Sequence, residues 1–255
     1  MSVEGSSNGA RPGRIAGGLR GTVAVSLVLG ALLIATSVML MPDYADGRGD
    51  FLANIAEAKG AATISASSFI LAQLFLGIGL VGVAHVIRDR APRLVAAGAM
   101  LAGLAAFGHS VYGGARIVML SMADDLTAVD THVATLDRAE SGIAIPFMAA
   151  GLLGTVLGTV MLGIAVWRAG FGPRWLGPAM VAWVVVEFVG SSLSVWAGYA
   201  SGLMYLGVLG TLAVEVWRSP ITRWQTAAEA EGEVEGETES AAESETPAPI
   251  PATSA

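Results

Sequence analysis

The chain has 255 residues, 54% of them hydrophobic and only 14% charged, with a mean hydropathy of +0.64, which is too little polar surface for a soluble domain. Cysteine is absent, which excludes disulfides, thiolate catalysis and cysteine-ligated clusters. The net charge of −7 is concentrated at one end: residues 224–255 hold eight Glu and no Lys or Arg, while residues 1–223 hold 14 basic and 13 acidic groups.

The leading twenty residues read as a flexible cytoplasmic arm. Six stretches without Lys or Arg then follow, at about 22–41, 64–87, 94–115, 143–167, 175–195 and 198–217. About 20 residues at ~1.5 Å rise span a bilayer's hydrocarbon core of ~30 Å, and runs of this length without alternation predict helices. The fold class expected is therefore all-α: a polytopic bundle of six transmembrane helices with both termini cytoplasmic. The first span has the basic flank of a signal peptide, but its apolar region is long and no A-x-A site follows, so it reads as a retained helix.

Residues 42–63 form an acidic outer loop with Asp43, Asp46, Asp50 and Glu57. Its Arg48-Gly49-Asp50 tripeptide is read as a chance match to an adhesion motif. In span two, Gly77, Gly79 and Gly82 spell G-x-G-x-x-G, the dinucleotide-binding fingerprint. That loop needs a strand before it and a helix opening within it. Here the glycines lie deep in an apolar run, so they predict close helix packing and no nucleotide.

The second outer loop, residues 116–142, is also acidic, and Leu126, Val129, Val133 and Leu136 recur at helical spacing. An amphipathic helix lying on the outer surface is expected. Asp130, His132 and Asp137 match no metal motif and read as a solvated face. In span four, Gly154 and Gly158 form a GxxxG, and Gly151, Thr155, Thr159 and Gly163 repeat every four residues, a smooth ridge suited to a contact within the chain. The tail from Trp224 is rich in Glu, Ala, Thr, Ser and Pro, and reads as a disordered, acidic cytoplasmic segment.

Arginine sets the orientation. Arg11, Arg14 and Arg20 precede span one; Arg88, Arg90 and Arg93 follow span two; Arg168 and Arg174 follow span four; Arg218 and Arg223 follow span six. All ten fall on one side, which by the positive-inside rule is the cytoplasm. The openings RIAGG, RLVAAG and RWLGPA, and the closings HVIR, AVWR and EVWR, fit either three tandem hairpins or the shared rules of helix ends.

The stretch GTVMLGIAVWRAGFGPRWLGPAMVA, residues 158–182, together with the RIAG start at Arg14–Gly17, resembles a bacterial six-helix membrane family known only as a domain of unknown function. The resemblance implies the six-span layout and carries no activity and no site residues. Thirteen Arg against one Lys, with abundant Ala, Gly and Val, points to a GC-rich bacterium. The expected location is the bacterial cytoplasmic membrane.

Ionisable groups inside a bilayer are costly, so each is a functional candidate. Glu187 lies ~12 Å below the outer end of span five, His109 ~10 Å below that of span three, and Gln73 ~13 Å into span two. Ser191 continues the Glu187 face at i+4; Tyr112 and Arg116 continue the His109 face at i+3 and i+7. These six residues are expected to line a polar pocket in the outer half, for which a structural network is the plain alternative. A b-type haem wants two His at one depth, whereas His85 and His109 sit ~20 Å apart along the membrane normal. No H-E-x-x-H, P-loop or intramembrane aspartate pair occurs. No cofactor and no nucleic-acid partner is expected; the lipid bilayer is the expected partner. The role expected is non-enzymatic: accessory, sensory or small-ligand binding. A small transporter, with proton coupling through Glu187 as one form of it, is the alternative, and an intramembrane enzyme a remote one. No proline falls at mid-span, so the spans are expected to be continuous, which weighs against transport.

Overall fold

The computed structural model describes residues 12–42 and 47–225. Asp43, Asp46, the first part of the N-terminal arm and the acidic tail beyond Gln225 lie outside the described residues. Among the described residues the regular structure is entirely helical. The described residues divide into two units, one within 20–219 and the other formed by residues 12–19 and 220–225. In the second unit a short 3₁₀ turn, Ile221–Arg223, leads to Trp224 and Gln225, both buried.

The long helices are α1 (Pro12–Met39), α3 (Lys59–Ile87), α4 (Pro92–Met122), α6 (Ile145–Ala169), α7 (Leu176–Val185, continued by a π turn and a short α8, Ser191–Leu193) and α9 (Val195–Arg218). Six of these segments are long and apolar enough to cross a membrane, the architecture of a multi-pass membrane protein. Their outward faces agree: Leu74, Met100, Phe107, Leu153, Val189 and Leu203 are exposed. A soluble protein does not leave so much apolar surface in water.

Glycine decides how closely the helices approach. In α3 the three glycines of the G-x-G-x-x-G pattern sit within one unbroken helix, with no loop among them. Gly79 packs on Leu27 and Gly82 on Val23, both of α1, while Gly77 faces Ala106 of α4. The α6 ridge lies against α4: Gly151 on Gly108, Gly154 on Ala105, Gly158 on Ala102. Backbone thus meets backbone, and dispersion between the two helices replaces side-chain interdigitation. The ridge is an intramolecular contact. At the end of α6, Gly170 takes φ +58°, the left-handed cap that an L side chain resists, and Gly172 at φ +80° lies close beneath Glu215.

The loop 42–63 holds a helix that sequence periodicity did not reveal: α2, Arg48–Glu57, with Phe51, Leu52 and Ile55 buried. The surface helix anticipated in the second loop is present as α5, Val129–Glu140. Its apolar face turns onto protein: Leu136 joins Phe51, Leu52, Ile55, Met119 and Ala123 in one cluster, with Val129 and Val133 packed against it. Polar groups fasten this cap. Arg48 Nε lies 2.8 Å from Asp137 Oδ1, and the same guanidinium forks onto both oxygens of Glu140. Lys59 pairs with Asp124. Arg48 of the Arg-Gly-Asp tripeptide is therefore engaged within the fold. Asp125 accepts from the Thr127 hydroxyl and from the Thr127 backbone N–H, the latter at 3.1 Å, and those bonds hold its carboxyl below the usual range. The Arg48 hydrogen bonds do the same to Glu140.

Candidate functional site

The fifth span carries one ionisable group, Glu187, and there its winding changes. Residues Val186–Gly190 form a π turn, in which the Ser191 N–H bonds to the Val186 carbonyl, five residues back. An α ladder would have sent that N–H to the Glu187 carbonyl. The displaced carbonyl is satisfied instead by the Ser191 hydroxyl. Ser191 thus completes the backbone of the π turn, is exposed, and is not among the residues lining the cavity described below. The span stays one unbroken helix, Leu176–Leu193, as expected, but its winding is irregular here. The cause is a widened turn, which needs no proline; such turns concentrate at functional sites. Ser194, in extended conformation, then turns the chain directly into α9.

Glu187 faces α9, where its Oε2 accepts a hydrogen bond from the Ser201 hydroxyl; Ser201 is almost wholly buried. Across the bundle, His109 Nε2 lies 2.8 Å from Thr155 Oγ1 of α6. Gly151 of α6 lies beside the imidazole, where a Cβ would stand 3.5 Å from Nδ1, in ordinary van der Waals contact. Gln73, buried in α3, donates from Nε2 to the Phe69 carbonyl at 3.1 Å. These three side chains, on three helices, line one cavity of about 150 Å³. Thr155, Thr159 and Ser201 add hydroxyls to its wall, and Phe69, Trp183, Phe188 and Tyr205 add aromatic rings.

The other two sequence-derived candidates lie beyond the Phe69 ring. Arg116 stacks over that ring at 5.1 Å, donates to Ser65 Oγ at 2.9 Å and reaches Ser37 Oγ at 3.4 Å. Ser65 in turn donates to the Ser37 carbonyl at 2.7 Å. Arg116 therefore ties α4 to α3 and α1. Tyr112 meets Phe69 edge to face at 6.0 Å, and with Arg116 it lines a separate void of about 20 Å³. Phe69 also meets His109 edge to face at 5.7 Å, so it is the partition between the arginine and the main cavity. The arrangement places a carboxylate, an imidazole and an amide around a small space with mostly apolar walls, the usual make-up of a small-molecule site. Ser201, Thr155, Trp183 and Tyr205 were not singled out from the sequence. Hydroxyls and aromatics are ordinary in membrane helices, and only the adjacency of α4, α6, α7 and α9 gives these four a shared role.

Comparison of the chain with protein-family models, with curated proteins and with solved structures found no match.

Proposed function

We propose that this chain is a non-enzymatic, small-ligand-binding protein of a bacterial cytoplasmic membrane, and that the ligand occupies the cavity between α3, α4, α6, α7 and α9. The observation that carries the reading is the convergence of Glu187, His109 and Gln73 on that one cavity. Each of these polar groups has a hydrogen-bond partner of its own, but the three come from three helices and line one space, which favours an occupant over a purely structural network. The arginine bias of the loops supports cytoplasmic termini and a cavity in the outer half of the bilayer.

A second reading, a small transporter, is favoured by the π turn at Glu187, since transport sites are built where spans are irregular.

The test is a thermal-shift screen of the detergent-purified chain against fractions of a bacterial metabolite extract. An active fraction is expected to stabilise the wild type, and to leave folded Glu187→Gln and His109→Ala unshifted. If no fraction shifts the wild type, or the variants shift equally, the ligand reading falls.

A further inference from the structure

The wall of the main cavity has a definite electrostatic sign. Glu187 is its carboxylate, and among the described residues that line it there is no Lys or Arg. The available guanidinium, Arg116, is held beyond Phe69 by Ser65 and Ser37. Four aromatic rings share the wall. Trp183 and Tyr205 overlap with centroids 4.5 Å apart and planes tilted by 32°, and Phe188 stands edge-on to Trp183 at 6.4 Å. Aromatic faces carry partial negative charge, so rings and carboxylate both favour a cation and both repel an anion. Desolvation strengthens that preference, because the ring quadrupole and the carboxylate act without competing water.

A second feature points the same way and adds a constraint. Trp183 is 7% exposed, lines the cavity, and its indole N–H meets no acceptor among the described residues. A buried donor left unpaired is unfavourable, and a ligand oxygen satisfies it. Size sets the last limit, since a cavity of this volume accommodates about one benzene-sized molecule.

Resting on the ligand-binding reading above, we infer that the cavity takes a small organic ammonium ion bearing an oxygen acceptor. Its charge lies against Glu187 and the aromatic rings, and its oxygen accepts from the Trp183 indole N–H. The Ser201 hydroxyl, donating to Glu187, positions the carboxylate for this contact.

The experiment uses choline and its uncharged isostere, 3,3-dimethylbutan-1-ol, titrated calorimetrically into the detergent-purified full chain. Choline is expected to saturate the protein at least ~10-fold more tightly than the isostere, about 1.4 kcal/mol. Glu187→Gln is expected to abolish that preference by weakening choline alone. Trp183→Phe keeps a ring and loses the N–H, and should weaken both probes by a similar factor. Equal affinity for the two probes, or an unchanged choline affinity in folded Glu187→Gln, overturns the inference. Failure of choline to bind while an extract fraction still stabilises the wild type overturns it and leaves the ligand reading standing. Failure of both ends both. Repeating the titration in phosphatidylglycerol vesicles with and without phosphatidylcholine separates two sources of the cation. Competition by phosphatidylcholine assigns the site to a lipid headgroup and unchanged binding assigns it to a free cation; either result supports ammonium recognition.

Discussion

Replacing Gly154 with alanine adds a single methyl group where α6 crosses α4. An ideal Cβ there would stand 2.7 Å from Ala105 N and 2.7 Å from the Leu101 carbonyl oxygen. Comfortable contacts lie near ~3.5–4.0 Å, and both neighbours are backbone, so no rotamer change relieves the clash. The two helices must move apart by about 1 Å, which by the ordinary cost of overpacking amounts to ~1–3 kcal/mol. Against this, alanine improves helix propensity over glycine by ~0.5–1 kcal/mol. The net expectation is a loss of up to ~2 kcal/mol. Gly103 is the matched control: it lies on α4, one residue after Ala102, and a Cβ there meets nothing within 4 Å. Gly103→Ala should therefore keep the propensity gain and stabilise. For a chain of this size each kcal/mol is worth ~2–4 °C in Tm. Thermal unfolding in detergent, followed by circular dichroism, should show Gly154→Ala melting lower than wild type and Gly103→Ala slightly higher. If the two variants shift in the same direction, packing at the α4–α6 crossing is not what makes Gly154 necessary.

Removing the Ser65 hydroxyl by Ser65→Ala takes one acceptor from the partly buried Arg116 guanidinium, and should lower stability by about 1–3 kcal/mol, read as a drop in the detergent melting temperature. Acid should loosen the outer cap. The hydrogen bonds from Arg48 depress the Glu140 carboxyl in the folded chain, so its contribution is present above the unfolded Glu value of ~4.3 and is lost as pH falls through the lower folded value. Melting curves between pH 7 and pH 3 should show this decline in wild type and a smaller one in Glu140→Gln. For orientation, a reporter fused after Arg223 should give a cytoplasmic signal and one inserted between Asp124 and Glu140 an exterior one; a reversed pair of signals would refute the arginine argument.

The six long helices were legible because membrane burial imposes length and uniform apolarity, two properties that composition records directly. α2 was missed for the opposite reason: it is short and mixes Gly49 and Asp50 with its apolar residues. Its only signal was the spacing of Phe51, Leu52 and Ile55, one turn of an amphipathic face. At the site, Glu187, His109 and Gln73 stood out because each is expensive in lipid. Arg116 stood out equally, but sequence spacing could not show that its long side chain reaches toward Ser37 and Ser65 rather than down its own helix face. Ser191 was placed on the Glu187 face by counting i+4 along an α-helix. The π turn broke that count, and the serine serves the backbone instead.

A π turn holds one residue more than the α turn it replaces, so it behaves as an insertion that the helix has absorbed without breaking. Excising one residue from Val186–Gly190 would restore the i→i+4 ladder. The helix on either side would keep its facing, because the widened turn had already absorbed the extra residue. Were Val186 the residue removed, Glu187 would step into its place, ~100° around the helix axis and away from Ser201. The extra residue therefore sets the azimuth of the carboxylate: a one-residue deletion there would redirect the chemistry of the span while leaving its length and hydropathy almost unaltered.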